Sequence, residues 1–262
     1  MNFAKELLRL KDDGVVLLPK LISPVACNEC LKDLNKLAFD HSLVSRSPDS
    51  THIHNAFLFS QKIRDLLNSP EIVNIYRSFF GEMYILRNFV ASTISKTDQS
   101  TTAFDKPIGH DWHRDTPQFY SHDNVSVCLP GQITFQIVVA LEKTSPVNST
   151  EFMLKTNNYS AVSCHRMPAE TELPVQYLSR KLNMEAGDVA IMDDNTFHRA
   201  GRPDGSNTRW LLFISFTPWY VRPYFLYNKI NTITQFERHI FGQCVDPPDP
   251  FLRIKLSFQS LL

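Results

Sequence analysis

The spacing of apolar residues changes near residue 82, and that change narrows the folds open to the chain. Before it, helix start signals dominate. Ser23-Pro24 offers an N-cap followed by proline at the first helical position, and Val25, Cys30, Leu31, Leu34 and Leu37 follow at helical spacing. Ser69-Pro70-Glu71 opens a second helix through Ile72, Ile75, Tyr76 and Phe79, with Gly81 suited to its C-terminal cap. Met1 to Leu10 reads as a short amphipathic helix, Val15 to Leu18 as a brief strand, and 43–56 as a polar loop. Beyond residue 82 strands are expected over 83–94, 111–116, 131–141, 151–155, 188–193 and 209–217, separated by polar segments rich in turn residues. Helices first and strands after point to a mainly β sandwich or barrel with helices packed outside it. Gln235 to Phe241 reads as a short helix in the tail. No repeat or linker divides the 262 residues. The expectation is one domain, with helical support over 1–81, a strand core over 82–218 and a packing segment over 219–262.

Composition removes several classes of function. Lys plus Arg and Asp plus Glu number 27 each, so no global field favours nucleic acid or an anionic membrane. No run approaches the roughly 20 apolar residues needed to span a bilayer. The N-terminus lacks the apolar stretch and cleavage site of a signal peptide. The five cysteines are scattered, which fits reduced thiols and a cytoplasmic location. Cys27 and Cys30 form a C-x-x-C without a second pair, inside a helical pattern, and read as core residues. The oligomeric state leaves no mark on the sequence.

The chemistry concentrates in two segments. In Trp112-His113-Arg114-Asp115, residues two apart on a strand share a face, so His113 and Asp115 can present an imidazole and a carboxylate to one ion. A bare His-x-Asp is common by chance. Downstream, Gly187-Asp188-Val189-Ala190-Ile191-Met192-Asp193 gives a turn and an apolar strand, with His198 just beyond. Two histidines and one carboxylate on one side of a metal suit a non-haem iron oxygenase, while zinc hydrolases also use such ligands.

Arg209 bears on that choice. It opens the strand Arg209 to Phe216 on the face of Leu211, Phe213 and Ser215, while Trp210, Leu212, Ile214 and Phe216 occupy the other. Both faces look buried, and a buried guanidinium must meet an anion. That anion is either an internal carboxylate or the carboxylate of a bound dicarboxylate.

Together these residues resemble the phytanoyl-CoA dioxygenase family. The likeness covers most of the chain, through Asp13-Gly14-Val15-Val16-Leu17-Leu18-Pro19, Ser69-Pro70-Glu71, Trp112 to Asp115, Val139-Ala140-Leu141-Glu142, Gly187-Asp188-Val189, His198 and an arginine eleven residues after it. The resemblance implies a double-stranded β-helix, or jelly roll, behind N-terminal helices. It implies Fe(II) on His113, Asp115 and His198, with 2-oxoglutarate and O2 as co-substrates and Arg209 on the distal carboxylate. It places Ser92 against the co-substrate, with Thr134 and Gln136 facing inward, and His52 and His54 in a loop that borders the pocket in relatives. Phe119 is a further candidate to line it. Val138 stands where relatives often carry tryptophan, and Lys155-Thr156-Asn157-Asn158 replaces a glycine-rich stretch. Because the carboxylate position is Asp115 and not Gly or Ala, halogenation is not expected. The implied reaction oxidises, by default hydroxylates, a small molecule and releases succinate and CO2. The rivals are a zinc-dependent hydrolase and a non-catalytic jelly-roll binding protein.

Overall fold

A computed structural model describes residues 3–40, 44–47, 50–80, 84–94, 112–115, 118–120, 126–128, 134–158, 178–201, 209–219 and 230–243. Its elements are α1 (Ala4–Asp13), β1 (Val15–Leu18), α2 (Pro24–Asp40), β2 (Val44–Ser47), β3 (Ser50–His54), α3 (Gln61–Leu67), α4 (Pro70–Phe79) and β4 (Tyr84–Ile94). There follow β5 (Gln118–Tyr120), β6 (Ser126–Cys128), β7 (Phe135–Ala140), β8 (Glu151–Met153), β9 (Ser179–Lys181), β10 (Val189–Asp193), β11 (His198–Arg199), β12 (Arg209–Pro218) and α5 (Gln235–Ile240). Seven strands form a major sheet in the order β1-β10-β7-β12-β4-β3-β2, and β11-β8-β9 form a minor one. The described strand pairs are antiparallel. The molecule is a mainly β jelly roll with helices on one side.

The two faces of the major sheet carry different chemistry, and this positions the site. Val16, Leu18, Ile137, Val139, Val189, Ile191, Leu212, Ile214 and Phe216 point outward, into a core completed by Leu10, Cys27, Cys30, Leu34, Ile63, Leu67, Ile72 and Ile75 from the helices. Burial of such side chains contributes about 1.5–3 kcal/mol each. The inward face is divided. Near β7 and β10 it is apolar, where Val138, Ala140, Ala190, Met192 and Leu211 pack on Phe152, Leu182 and Met184. Towards β4 and β3 it turns polar, and there the two sheets leave a cavity.

Local signals account for most boundaries. The Ser69 hydroxyl accepts from Ile72 N ahead of Pro70, and Ser23 accepts from Ala26 N. Gly14 ends α1 at φ 79°, donating to the Leu10 carbonyl. A Cβ there would stand 2.2 Å from Thr196 Oγ1, so only glycine joins α1 to β1 this closely.

Two expectations need correction. The segment 43–56 contains the β2–β3 hairpin, which adds two strands to the sheet edge, and Ser50 and His52 on it line the cavity. Residues 112–115 are not a strand: His113 makes one isolated bridge to His198. α3 lay outside the expected helices. Its N-cap is Ser60, which accepts from Ile63 N and donates to Asp33. Gly81, Cys164, Cys244 and most of the packing segment fall outside the described residues.

Candidate metal centre

Backbone hydrogen bonds join the two segments that carry the imidazoles and the carboxylate. His113 and His198 exchange N–H···O bonds of 2.9 Å in both directions, and Asp115 N donates to the Asp194 carbonyl at 2.9 Å. The pairing holds residues 113–115 antiparallel to the turn that follows β10. Beyond that turn, Met153 N donates to the Phe197 carbonyl and ties His198 to the minor sheet. The residues between and beside the three groups anchor the ribbon from behind. Arg114 donates to the Thr156 carbonyl at 3.0 Å and lies 4.1 Å over the Phe197 ring. Arg199 pairs with Glu151 and lies 4.6 Å over the Trp112 ring.

His113, Asp115 and His198 each offer a donor atom, and these atoms lie within 4.8 Å of one another. His113 Nε2 is 3.7 Å from Asp115 Oδ1, and His198 Nε2 is 3.5 Å from Asp115 Oδ2. Neighbouring ligands of an octahedral ion with bonds near 2.1 Å sit about 3 Å apart, so a metal fits with small closure. The orientation of His198 is fixed independently of any ion. Its Nδ1 bonds the Thr196 carbonyl at 3.0 Å, leaving Nε2 turned to Asp115. The Gln136 amide donates to Asp115 Oδ2 at 2.6 Å. Burial pushes the Asp115 carboxyl up, but His198, His113 and the Gln136 N–H outweigh it and hold it below the usual range. Burial works against a charged His198, while the Asp115 carboxylate raises its pKa above the ordinary value. This is a preformed cation site with one negative charge.

The centre opens into a cavity of about 360 Å³. Across the sheet, Arg209 pairs with Ile94 and Ile94 with Ser50, while Leu211 pairs with Ser92 and Ser92 with His52. Arg209, Ser92, Gln136 and His52 all line the cavity, together with Ser50, Thr150, Phe213 and Ser215. Arg209 is 2% exposed. Its Nε donates to the Asn148 carbonyl at 2.8 Å, and burial pushes its pKa down to about 10. Among the described residues, Arg64, Arg87 and Arg199 form ion pairs with carboxylates, and Arg209 does not. An internal acid is therefore not its described partner. A cation buried this deeply is costly without an anion, and the face it turns to the cavity has room for one.

Not every expected residue reaches this cavity. Thr134 is buried and offers its carbonyl to Asp194 N, but it is not part of the lining. Its position one residue before β7 ties it to the turn. His54 shares the face of His52, opposite Val90, yet also stays off the lining. Phe119 lies on β5, but its side chain is outside the description. Gln136 does face inward, where it holds Asp115. For His52, burial and then the charge of His54 push the imidazole below its ordinary value, and Ser50 bonds it at 2.9 Å. Ser50, Asn88, Arg87 and Thr150 were not found from the sequence. Ser50 carried a signal, since it lies two residues before His52 on one strand face.

A jelly roll with two imidazoles and a carboxylate on one side of a cavity, and a buried arginine facing the same space, defines a class: the non-haem iron oxygenases that use 2-oxo acids. A family model described as Phytanoyl-CoA dioxygenase (PhyH) matches residues 10–209, and the chain belongs to that family. It is a non-haem iron, 2-oxoglutarate-dependent enzyme. Solved structures show the same fold. SnoN, a non-heme alpha ketoglutarate dependent epimerase from nogalamycin biosynthesis, is 18% identical over 93% of this chain and 91% of its own, with a TM-score of 0.66. HygX from Streptomyces hygroscopicus, solved with nickel and 2-oxoglutarate bound, is 12% identical over 85% of this chain and 89% of its own, with a TM-score of 0.61. AviO1 from Streptomyces viridochromogenes Tue57 is 15% identical over 85% and 97%, with a TM-score of 0.58. No curated protein matches the chain. No described helix is long and apolar enough to cross a membrane.

Proposed function

We propose that His113, Asp115 and His198 hold Fe(II), that Arg209 receives the distal carboxylate of 2-oxoglutarate, and that the enzyme hydroxylates a small organic molecule. One observation supports this above the others: a buried guanidinium with no described carboxylate partner faces the cavity that the three donor groups enter. A zinc hydrolase or a non-catalytic jelly roll has no need of that charge. Bound iron, with 2-oxoglutarate and O2, supplies the oxidising power, and one turnover yields succinate and CO2.

The side chains divide the remaining tasks. Arg209 fixes one end of the co-substrate, with Ser92 and Thr150 offering hydroxyls to the same cavity. Gln136 keeps Asp115 oriented, and Val90, Ile94 and Phe213 keep the space between apolar and poor in water. His52, from the edge hairpin, offers the substrate a neutral hydrogen-bonding group. HygX has been solved with hygromycin B, and SnoN with nogalamycin RO. A natural product of that general kind is the proposed substrate class, met in the cytoplasm. Residues 1–262 act in this reading as one catalytic domain. The test is succinate production from 2-oxoglutarate with Fe(II) and O2, beside Mn(II) binding. Asp115→Ala is expected to abolish both while the apo melting temperature is kept. An Asp115→Ala protein that still binds Mn(II) and forms succinate would refute the assignment.

A further inference from the structure

Strand β4 has one irregularity, and it falls beside the metal centre. β12 pairs Ser215 with Asn88 and Phe216 with Leu86, so the register skips Arg87, which forms a bulge. Strict alternation would send Arg87 outward with Phe89 and Ala91, which sit in the helix-covered core. The bulge instead brings consecutive residues, Arg87 and Asn88, to one cavity. There Arg87 is 2% exposed, and its Nη1 donates to the Asp115 carbonyl and to Asp194 Oδ2, both at 2.9 Å. Asp115 N donates in turn to the Asp194 carbonyl at 2.9 Å.

We propose that Arg87 is a positioning residue of the metal centre. Through the bulge it clamps the backbone of Asp115 to the turn that leads into His198, so the donor groups are placed before a metal arrives. The inference rests on the reading of His113, Asp115 and His198 as the metal-binding set. Asp115 lies outside any strand, and its side chain is about one-third exposed. Its position therefore depends on a few named bonds: its own N–H to Asp194, Gln136 to its carboxylate, and Arg87 to its carbonyl. Groups that orient metal-binding side chains commonly change metal affinity 10- to 100-fold when lost. If Arg87 served only to neutralise the buried Asp194, removing both charges together would leave metal binding untouched.

That contrast sets the experiment. Arg87→Lys keeps the charge and loses the fork, while the double variant Arg87→Gln with Asp194→Asn removes both charges. Each full-length variant is compared with wild type by apo melting, by titration with Mn(II) followed through the EPR signal of the free ion, and by steady-state turnover of 2-oxoglutarate. The double variant is expected to keep its apo melting temperature within a few degrees and to bind Mn(II) at least tenfold more weakly. Its kcat should fall more than its KM for 2-oxoglutarate changes, and Arg87→Lys should fall between it and wild type. Wild-type Mn(II) affinity in a folded double variant would overturn the proposal. So would loss of the fold in both variants, which would make Arg87 a support of the sheet. Asp115→Ala serves as the control. If it binds Mn(II) normally, the metal-binding set is wrong; if it loses Mn(II) while the Arg87 variants keep it, only the clamp is wrong.

Discussion

At the scale of single residues, the site depends on bonds that can be removed one at a time. Gln136 makes a single described contact with the centre, its amide N–H to Asp115 Oδ2. Gln136→Leu keeps the side chain near its volume and deletes the donor. Metal affinity is expected to drop roughly tenfold or more, measurable by Mn(II) titration, with the apo fold retained. Gly201 acts by being small. A Cβ there would stand 2.1 Å from the Asn148 carbonyl carbon, and that carbonyl accepts from Arg209 Nε. Gly201→Ala must therefore displace the acceptor. A hydrogen bond to a charged group contributes about 1.5–3 kcal/mol, so 2-oxoglutarate should bind roughly tenfold more weakly or worse. Calorimetric titration of 2-oxoglutarate into the Mn(II) form would show it; unchanged affinity would disconnect Asn148 from the co-substrate. The convergence of His113, Asp115 and His198, and the inward face of Arg209, were legible in the sequence because the proposed roles demand fixed residue types at fixed spacing. Thr134 misled because a strand pattern gives a face but does not say where the strand begins.

Elements were legible where one period ran long enough. α4, β4, β10 and β12 lie within a residue or two of their expected bounds, and α2 starts at the expected Pro24, because caps and apolar alternation agree there. The β2–β3 hairpin was read as a loop. As a sheet edge it buries little apolar surface, so Ser, Thr and His suffice and no alternation of apolar residues marks it. The bulge at Arg87 was invisible for a related reason: one extra residue in a strand shifts the faces without changing composition. α5 shows how the last described segment is held. The buried Glu237 carboxylate accepts from Arg64 at 2.5 and 2.7 Å, from Asn68 at 2.9 Å and from Ile233 N at 2.6 Å. Burial pushes its pKa up, but Arg64 and the N–H donors outweigh this and bring it down to about 2. Since the folded pKa lies below that of the unfolded chain, this stabilisation is complete above the unfolded value and lost as pH falls towards 2. Glu237→Gln leaves Arg64 without its counter-charge and should cost about 3 kcal/mol, or roughly 6–12 °C in melting temperature. The deficit should shrink as the pH of the melt is lowered from 6 to 3. A deficit independent of pH would mean that packing, not charge, holds α5.

On the scale of the whole molecule, one sheet does two jobs by dividing its faces. The outer face is largely apolar and fastens the helices, which leaves the inner face free to change from apolar to polar between β7 and β3. The cavity forms where that change occurs, and it is lined by both the candidate cation site and the Arg209 guanidinium. The central claim is that this guanidinium anchors 2-oxoglutarate beside the metal, and thermal melting with Mn(II) in place of iron tests it most directly. At 2-oxoglutarate a hundredfold above its Kd, wild type should gain about 2.7 kcal/mol, which corresponds to several degrees. Arg209→Lys keeps the charge but loses the planar fork, so at the same concentration most of that gain should vanish while melting without 2-oxoglutarate changes little. Equal stabilisation of both proteins at a subsaturating concentration, or no protection of wild type at all, would contradict the account.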